Sequence, residues 1–344
     1  MDGTRAKDWE PPPDWQRITT IESHAGGEPF RVVVDGLPAI RGETMLERRR
    51  FAEAELDWLR QALMWEPRGH ADMYGGWLGP PVSADAQLSV LFTHNDGFST
   101  MCGHGIIALT TVLIETGMIS APGAERALGI DTPAGLISAV ATVVNDRVLA
   151  TRFRNVASFV TDIDAWVPVP GWGDVRYDLA FGGAFYGLVD AGTIGVSLDD
   201  PAGLVEAGRR IKRAISSSRE ITHPEHPDLG FLYGIIFIGP AAAADAHSRN
   251  VCVFADGEID RSPTGTGVSA RLAALHARGE VGVDEEIRVE SIVGSEFSGR
   301  IVGLTSVAST PAVIPEVSGS AHITGRNEVW IDPDDRLGAG FFLR

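Results

Sequence analysis

The sequence predicts an α+β protein built from two related units, each with β-sheet surrounding one central helix. Three observations carry this. A stretch near residue 100 returns near residue 262, each copy holds one strongly apolar helical run, and the remainder breaks into short alternating strands separated by Gly, Pro and Asp-Gly. At 344 residues and 44% hydrophobic content the chain is long for a single core, so two domains are expected.

The repeat comes first. "FSTMCGHGIIALTTVLIETGMI" (98–119) and "DRSPTGTGVSARLAALHARGEV" (260–281) share a turn, a Gly-x-Gly, an apolar run and a closing Gly. Cys102 and Thr264, Gly103 and Gly265, Gly105 and Gly267, Ala108 and Ala270, and Gly117 and Gly279 all lie 162 positions apart. Upstream, "VLFTHNDGFST" (90–100) matches "VCVFADGEIDRS" (251–262), each an apolar strand meeting an Asp-Gly turn before the helix. Further back, "AGGEPFRVVVDG" (25–36) matches "FGGAFYGLVDAG" (181–192) at an offset near 156.

The helices expected over 106–114 and 268–277 have no polar face wide enough for water, so each must be enclosed by its own sheet rather than set in alternating βαβ units. "ERRRFAEAELDWLRQ" (47–61) has the Glu/Arg and Phe51, Leu56, Leu59 spacing of a surface amphipathic helix. The last stretch, 329–344, is apolar enough to return as a strand. The expected division is residues 1–157, closed by 330–344, and residues 158–329, with a cleft between.

A net charge of −17 argues against nucleic acid or an anionic membrane as partner. No segment approaches the ~20 apolar residues of a membrane span, and "MDGTRAKDWEPPPDWQ" lacks a signal peptide's basic start and apolar core. A cytoplasmic protein with a short disordered leader is expected. Two cysteines make no disulfide framework; Cys252, alternating with apolar neighbours in "NVCVFAD", reads as core.

"GHGIIA" and "GTGVSA" satisfy a dinucleotide fingerprint, but hairpin turns rather than parallel strands precede both, and too little chain follows the second copy. No cofactor is expected. His223 and His226 in "THPEHPD" lack a completing carboxylate or thiol, so they read as a solvated or hydrogen-bonded pair and no metal is expected.

Cys102 stands apart, preceding a helix inside a glycine-rich turn. Helix-start N–H groups and the dipole lower a thiol's pKa, and the same end binds anions. Two such ends converging on one cleft suit removal of the proton α to a carboxylate, because charge then develops on oxygens the helices hold. His104, two residues on, should point elsewhere than Cys102, which disfavours a Cys-His dyad.

"MCGHG" with "DRSPTGTG" resembles the proline racemase family, which includes 4-hydroxyproline epimerases and trans-3-hydroxy-L-proline dehydratases. "GGEPFR" (26–31), "EPRGHADMYG" (66–75), "GGAFY" (182–186) and "ITGRNEVWIDPDD" (323–335) extend the resemblance over nearly the whole chain. It implies a cofactor-independent enzyme of the diaminopimelate-epimerase-like fold, with two pseudo-symmetric domains each wrapping sheet around a helix. It implies Cys102 as proton acceptor, the Gly103–His104 and Gly265–Thr266 backbones as carboxylate cradle, and Asp260 as contact to the ring nitrogen. The His104 side chain either faces that nitrogen or caps its own helix.

Racemases of the family use a thiol on each face of the ring; here the second position is Thr264, which resembles the dehydratases. An alcohol is a poor proton donor to a carbanion, so two-base racemisation should be crippled. In trans-3-hydroxy-L-proline the hydroxyl and the α-hydrogen share a face, so one thiol suffices for elimination to Δ1-pyrroline-2-carboxylate, with Thr264 ordering the other face. The alternatives are a proline racemase or 4-hydroxyproline epimerase, and a non-catalytic amino-acid-binding protein. The partner is a small proline derivative; a homodimer is the assembly considered.

Overall fold

The computed structural model describes residue 3, residues 8–120 and residues 122–343. Part of the expected leader lies outside these residues. From residue 8 to residue 15 it has no helix or strand, yet it is not loose: Trp9 packs on Trp15 and Trp330 with ring separations of 6.0 and 5.1 Å. The expectation of a disordered leader therefore fails there, because those indoles find an aromatic partner.

The fold is mixed α+β, with eighteen strands among the described residues in one continuous hydrogen-bonded network. In the first repeat, β1 (Gln16–Ala25) is antiparallel to β2 (Glu28–Asp35) and to the late strand β18 (Ala321–Ile331). β2 runs parallel to β3 (Tyr74–Gly79), which is antiparallel to β4 (Leu88–His94). β4 pairs antiparallel with β5 (Phe98–Ser99) and parallel with β6 (Glu125–Thr132), and β7 (Gly135–Val144) and β8 (Arg147–Arg154) complete a meander.

The second repeat reproduces this pairing by pairing. β10 (Gly173–Phe181) is antiparallel to β9 (Ser158–Val169) and β11 (Phe185–Asp190), and β11 is parallel to β12 (Leu232–Gly239). β13 (Ser248–Phe254) is antiparallel to β12 and β14 (Glu258–Asp260) and parallel to β15 (Glu286–Glu290), which leads into β16 (Glu296–Val307) and β17 (Thr310–Gly319). β17 also pairs with β8 and β9, stitching the repeats together.

Two features depart from the sequence expectation. The amphipathic segment is two helices, α1 (Met45–Glu55) and α2 (Asp57–Met64), broken at Leu56, whose φ −123°, ψ 8° is non-helical and whose side chain is buried. Thr44 and Glu47 form a capping box on α1. Parallel pairs are also present, and they require crossovers: α1 and α2 join β2 to β3, and a further helix joins β11 to β12. That helix had not been foreseen from the sequence, although Asp200 caps it, Pro201 opens it, and Leu204, Ala207, Ile211 and Ile215 line its buried side.

The two apolar helices occupy the expected places. α3 (Gly103–Glu115) is enclosed by β1, β2, β7, β8 and β18, and every residue from Gly103 to Ile114 is buried. With the crossover helix counted as α4 (Pro201–Ser218), α5 (Gly265–Ala277) is enclosed by β9, β10, β11, β16 and β17. Their N-termini touch: a Cβ on Gly103 would lie 2.5 Å from the Gly265 Cα, and one on Gly265 2.7 Å from the Gly103 Cα. No helix among the described residues is long and apolar enough to cross a membrane.

Gly265→Ala should therefore drive the helix ends apart, at a cost of about 2 kcal/mol. Chemical denaturation checks this: Gly325→Ala, on β18 with nothing near its Cβ position and no positive φ, tests glycine loss without the clash.

Candidate active site

Cys102 is the N-cap of α3, with extended backbone (φ −143°, ψ 110°), and its sulfur accepts a hydrogen bond from the Gly105 amide at 3.2 Å. Because it stands outside the helix, the angular argument against a Cys-His contact does not apply. The His104 ring lies over the sulfur, with Nδ1 3.3 Å and Nε2 3.4 Å from it. His104 thus does not cap its helix, since the thiol does. Its Nδ1 also sits 3.7 Å from Asp260 Oδ2, supplied by β14 of the other repeat.

Thr264 occupies the equivalent position before α5, but its backbone is different. Its φ of +67° is costly for a β-branched residue, on the order of 1–3 kcal/mol. Its side chain caps nothing, and its buried Oγ1 has no hydrogen-bond partner at normal distance. The hydroxyl still lies near enough to the Cys252 thiol to favour that group's ionised form.

A small, nearly closed cavity, with about 10 Å³ of free space, collects these groups. Cys102, His104, Asp260, Thr264 and the Gly103, Gly265 and Thr266 backbones all line it, so the structure brings together every site residue the sequence nominated. First-turn N–H groups have no intrahelical acceptor, which leaves the Gly103, His104, Gly265 and Thr266 amides as donors suited to a carboxylate. Larger hollows exist elsewhere on the molecule, but none combines a thiol, an imidazole and two helix starts.

Sequence reasoning missed the cavity's far wall. Tyr74 from β3, Tyr186 from β11 and Tyr233 from β12 enter it, with Phe254 behind. The Tyr74 and Tyr233 hydroxyls are 2.9 Å apart, and the Tyr186 hydroxyl is 2.7 Å from Thr266 Oγ1. Only the recurrent "GGAFY" and "DMYG" matches hinted at the first two tyrosines. Cys252, on β13, is fully buried as its core reading requires, but it also faces this cavity.

The electrostatics correct one expectation. Burial, joined by the negative charges of Asp260 and Glu28, pushes the Cys102 thiol well above its ordinary pKa, outweighing the Gly105 amide and the Tyr74 hydroxyl, which lower it. The thiol is 4% exposed, and desolvation exceeds the helix-start effect. Asp260, although burial opposes its ionisation, is held below the usual carboxylate range by His104 and Ser262, whose amide donates to it at 2.7 Å. Glu28, entirely buried, is raised by burial and by Asp260, and stays protonated more readily; its Oε2 accepts from the Arg261 amide at 2.7 Å while its Oε1 has no partner.

The rejected motifs resolve as well. The Gly-x-Gly turns follow antiparallel pairs, β4–β5 and β13–β14, not a parallel strand entering a helix. His223 and His226 stack at 5.5 Å, and the His223 Nδ1 accepts the amides of Glu225 and His226. Among the described residues no cluster of three or more His, Cys, Asp or Glu could hold a metal ion.

The α+β frame thus sets a buried thiol and a threonine at two touching helix starts, a site of acid–base type built on one duplicated unit. Residues 20–342 match the family model described as Proline racemase, and the chain belongs to that family. It is 44% identical to a trans-3-hydroxy-L-proline dehydratase of Colwellia psychrerythraea over 98% of this chain and 96% of that one. It is 43% identical to a 3-hydroxyproline 2-epimerase of Burkholderia multivorans, over 95% and 98% respectively. A crystal structure of a hydroxyproline epimerase from Agrobacterium vitis, with bound trans-4-hydroxy-L-proline, superimposes with a TM-score of 0.90 at 34% identity, covering 96% of each chain.

The thiol's reactivity should follow its surroundings. In a Cys252→Ala background, alkylation of Cys102 should rise with pH through a midpoint above the ~8.5 of a free cysteine. Asp260→Asn, which removes a neighbouring negative charge, should move that midpoint down. A midpoint below 8 in the parent, or no movement in the variant, contradicts the assigned causes.

Proposed function

We propose that the protein is a cofactor-independent hydro-lyase that dehydrates trans-3-hydroxy-L-proline to Δ1-pyrroline-2-carboxylate. One observation carries this: of the two equivalent positions before the helices, one holds a thiol and the other a threonine whose hydroxyl is buried and unpaired. The names of several relatives at 43–45% identity, among them those from Bacillus cereus and Azospirillum brasilense, support it.

In this reading the substrate carboxylate sits between the Gly103–His104 and Gly265–Thr266 amides, and Asp260 pairs with the ring ammonium. Cys102, as thiolate, takes the α-proton. The electron pair moves into C2=C3 as the C3–O bond breaks on the same face, and the resulting enamine tautomerises to the cyclic imine. His104, set between the sulfur and Asp260, keeps both groups in register. Thr264 orders the opposite face without supplying a base.

Epimerisation is the second reading, favoured by the similarity to the Burkholderia multivorans epimerase. Incubation with trans-3-hydroxy-L-proline, L-proline and trans-4-hydroxy-L-proline separates the two, by cyclic imine or by inverted configuration. For the architecture, we infer the diaminopimelate-epimerase-like plan of two pseudo-symmetric domains, expected as 1–157 with 330–344 and 158–329; the duplicated strand pairing supports the plan, but the strand returning to β1 spans Ala321–Ile331, so the return begins before residue 330. The two free cysteines suit a reducing compartment, which supports a cytoplasmic location.

Cys102→Ser should fold and melt near the parent temperature while losing imine formation; turnover at the parent rate would remove Cys102 as base. Thr264→Cys, assayed with reductant because Cys252 lies beside that position, should gain slow interconversion of L- and D-proline in deuterated water, read by chiral chromatography. Parent protein that interconverts them equally fast would show that Thr264 is not what blocks racemisation.

A further inference from the structure

Elimination leaves one chemical requirement open. Hydroxide is a poor leaving group, and an acid must protonate it on the face where Cys102 works. Cys252 and Thr264 belong to the opposite side. His104 is held between the Cys102 sulfur and Asp260, toward the ring nitrogen. The Tyr186 hydroxyl is engaged with Thr266 Oγ1.

Tyr74 remains. It comes from β3 and lines the same cavity as Cys102; its ring meets His104 edge-on at 4.9 Å, and its hydroxyl favours the ionised form of the Cys102 sulfur. Behind it, the Tyr233 hydroxyl lies at 2.9 Å and Ser99 Oγ shares a further hydrogen bond. The Tyr233 hydroxyl can donate to the phenol oxygen, while Tyr74 donates its own single proton to Ser99 Oγ, so it serves the cavity by turning from Ser99 to the leaving oxygen.

We propose that Tyr74 is the catalytic acid that protonates the departing C3 hydroxyl, a role that rests on the dehydratase reading. The Cys102 thiolate takes the α-proton and becomes a thiol. As the C–H electron pair forms C2=C3 and the C3–O bond breaks, the Tyr74 O–H proton passes to the leaving oxygen, which departs as water. The thiol then returns its proton to the Tyr74 oxygen, restoring thiolate and phenol. No proton is gained or lost overall. Burial and the nearby thiolate push the Tyr74 phenol well above its ordinary pKa, which keeps it protonated until it is needed.

The test is Tyr74→Phe, with α-proton exchange and elimination measured separately in deuterated water. Imine formation from trans-3-hydroxy-L-proline should fall by about 10²- to 10⁴-fold, the usual contribution of a general acid. Exchange of the L-proline α-proton, which needs Cys102 alone, should persist. Loss of chloride from trans-3-chloro-L-proline, which gives the same imine without an acid, should also persist. Tyr233→Phe, which leaves the acid in place but loosens it, should show a smaller loss with the same sparing, and it serves if Tyr74→Phe fails to fold. Unchanged dehydration in Tyr74→Phe overturns the proposal. So does parallel loss of exchange and chloride elimination in a folded variant, because Tyr74 would then be only setting the thiol. Parent enzyme that forms no imine from the hydroxyproline, yet eliminates chloride, defeats the dehydratase reading instead.

Discussion

The backbone contact between Gly103 and Gly265 is the constraint on which the rest of the molecule depends. Two helix N-termini meeting head to head bring together two partial positive charges and several N–H groups without acceptors. That arrangement is unfavourable by itself, and the surrounding structure answers it with a negative group, Asp260, kept ionised by His104 and Ser262. Any side chain at either glycine would separate the ends and dissolve the site.

The same closeness explains the departure from a simple helix-start thiol. An exposed cysteine at such a position would be acidic, but here the second helix, the tyrosines and the sheet exclude water. The sulfur must then be ionised against both desolvation and the Asp260 charge. His104 reconciles the two, touching the sulfur and facing the carboxylate at once. The symmetry of the repeat fails at the threonine: the backbone at Thr264 turns to positive φ where Cys102 is extended, so equivalent positions do not deliver equivalent side chains.

Much of this was legible in the sequence because a duplication writes its own register. The constant offset from Cys102 and Thr264 to Gly117 and Gly279 located both central helices and paired the site residues across the cleft. The tyrosine wall was not legible, since Tyr74, Tyr186 and Tyr233 converge from three strands far apart in the chain, and the short matches around the first two do not say that they meet. Nor was the burial of Cys102, which depends on the opposing repeat. Helical spacing does not lead to the Cys-His contact, because Cys102 stands just outside the helix with extended backbone. The α4 crossover, by contrast, carries clear signals in its sequence: the Asp200 cap, Pro201 in the first turn, and Leu204, Ala207, Ile211 and Ile215 on one face.

The ladder between β1 and β18 joins opposite ends of the chain, with Gln16 opposite Ile331. During synthesis β1 and β2 emerge early, yet the outer edge of β1 stays open until the final strand leaves the ribosome. The half that carries the thiol is therefore started first and finished last, while strands β9 to β16 can pair as they appear. Slow, non-local closure of this kind leaves an unpaired strand edge exposed to neighbouring chains, so production of this enzyme is most vulnerable to premature termination and crowding late in translation.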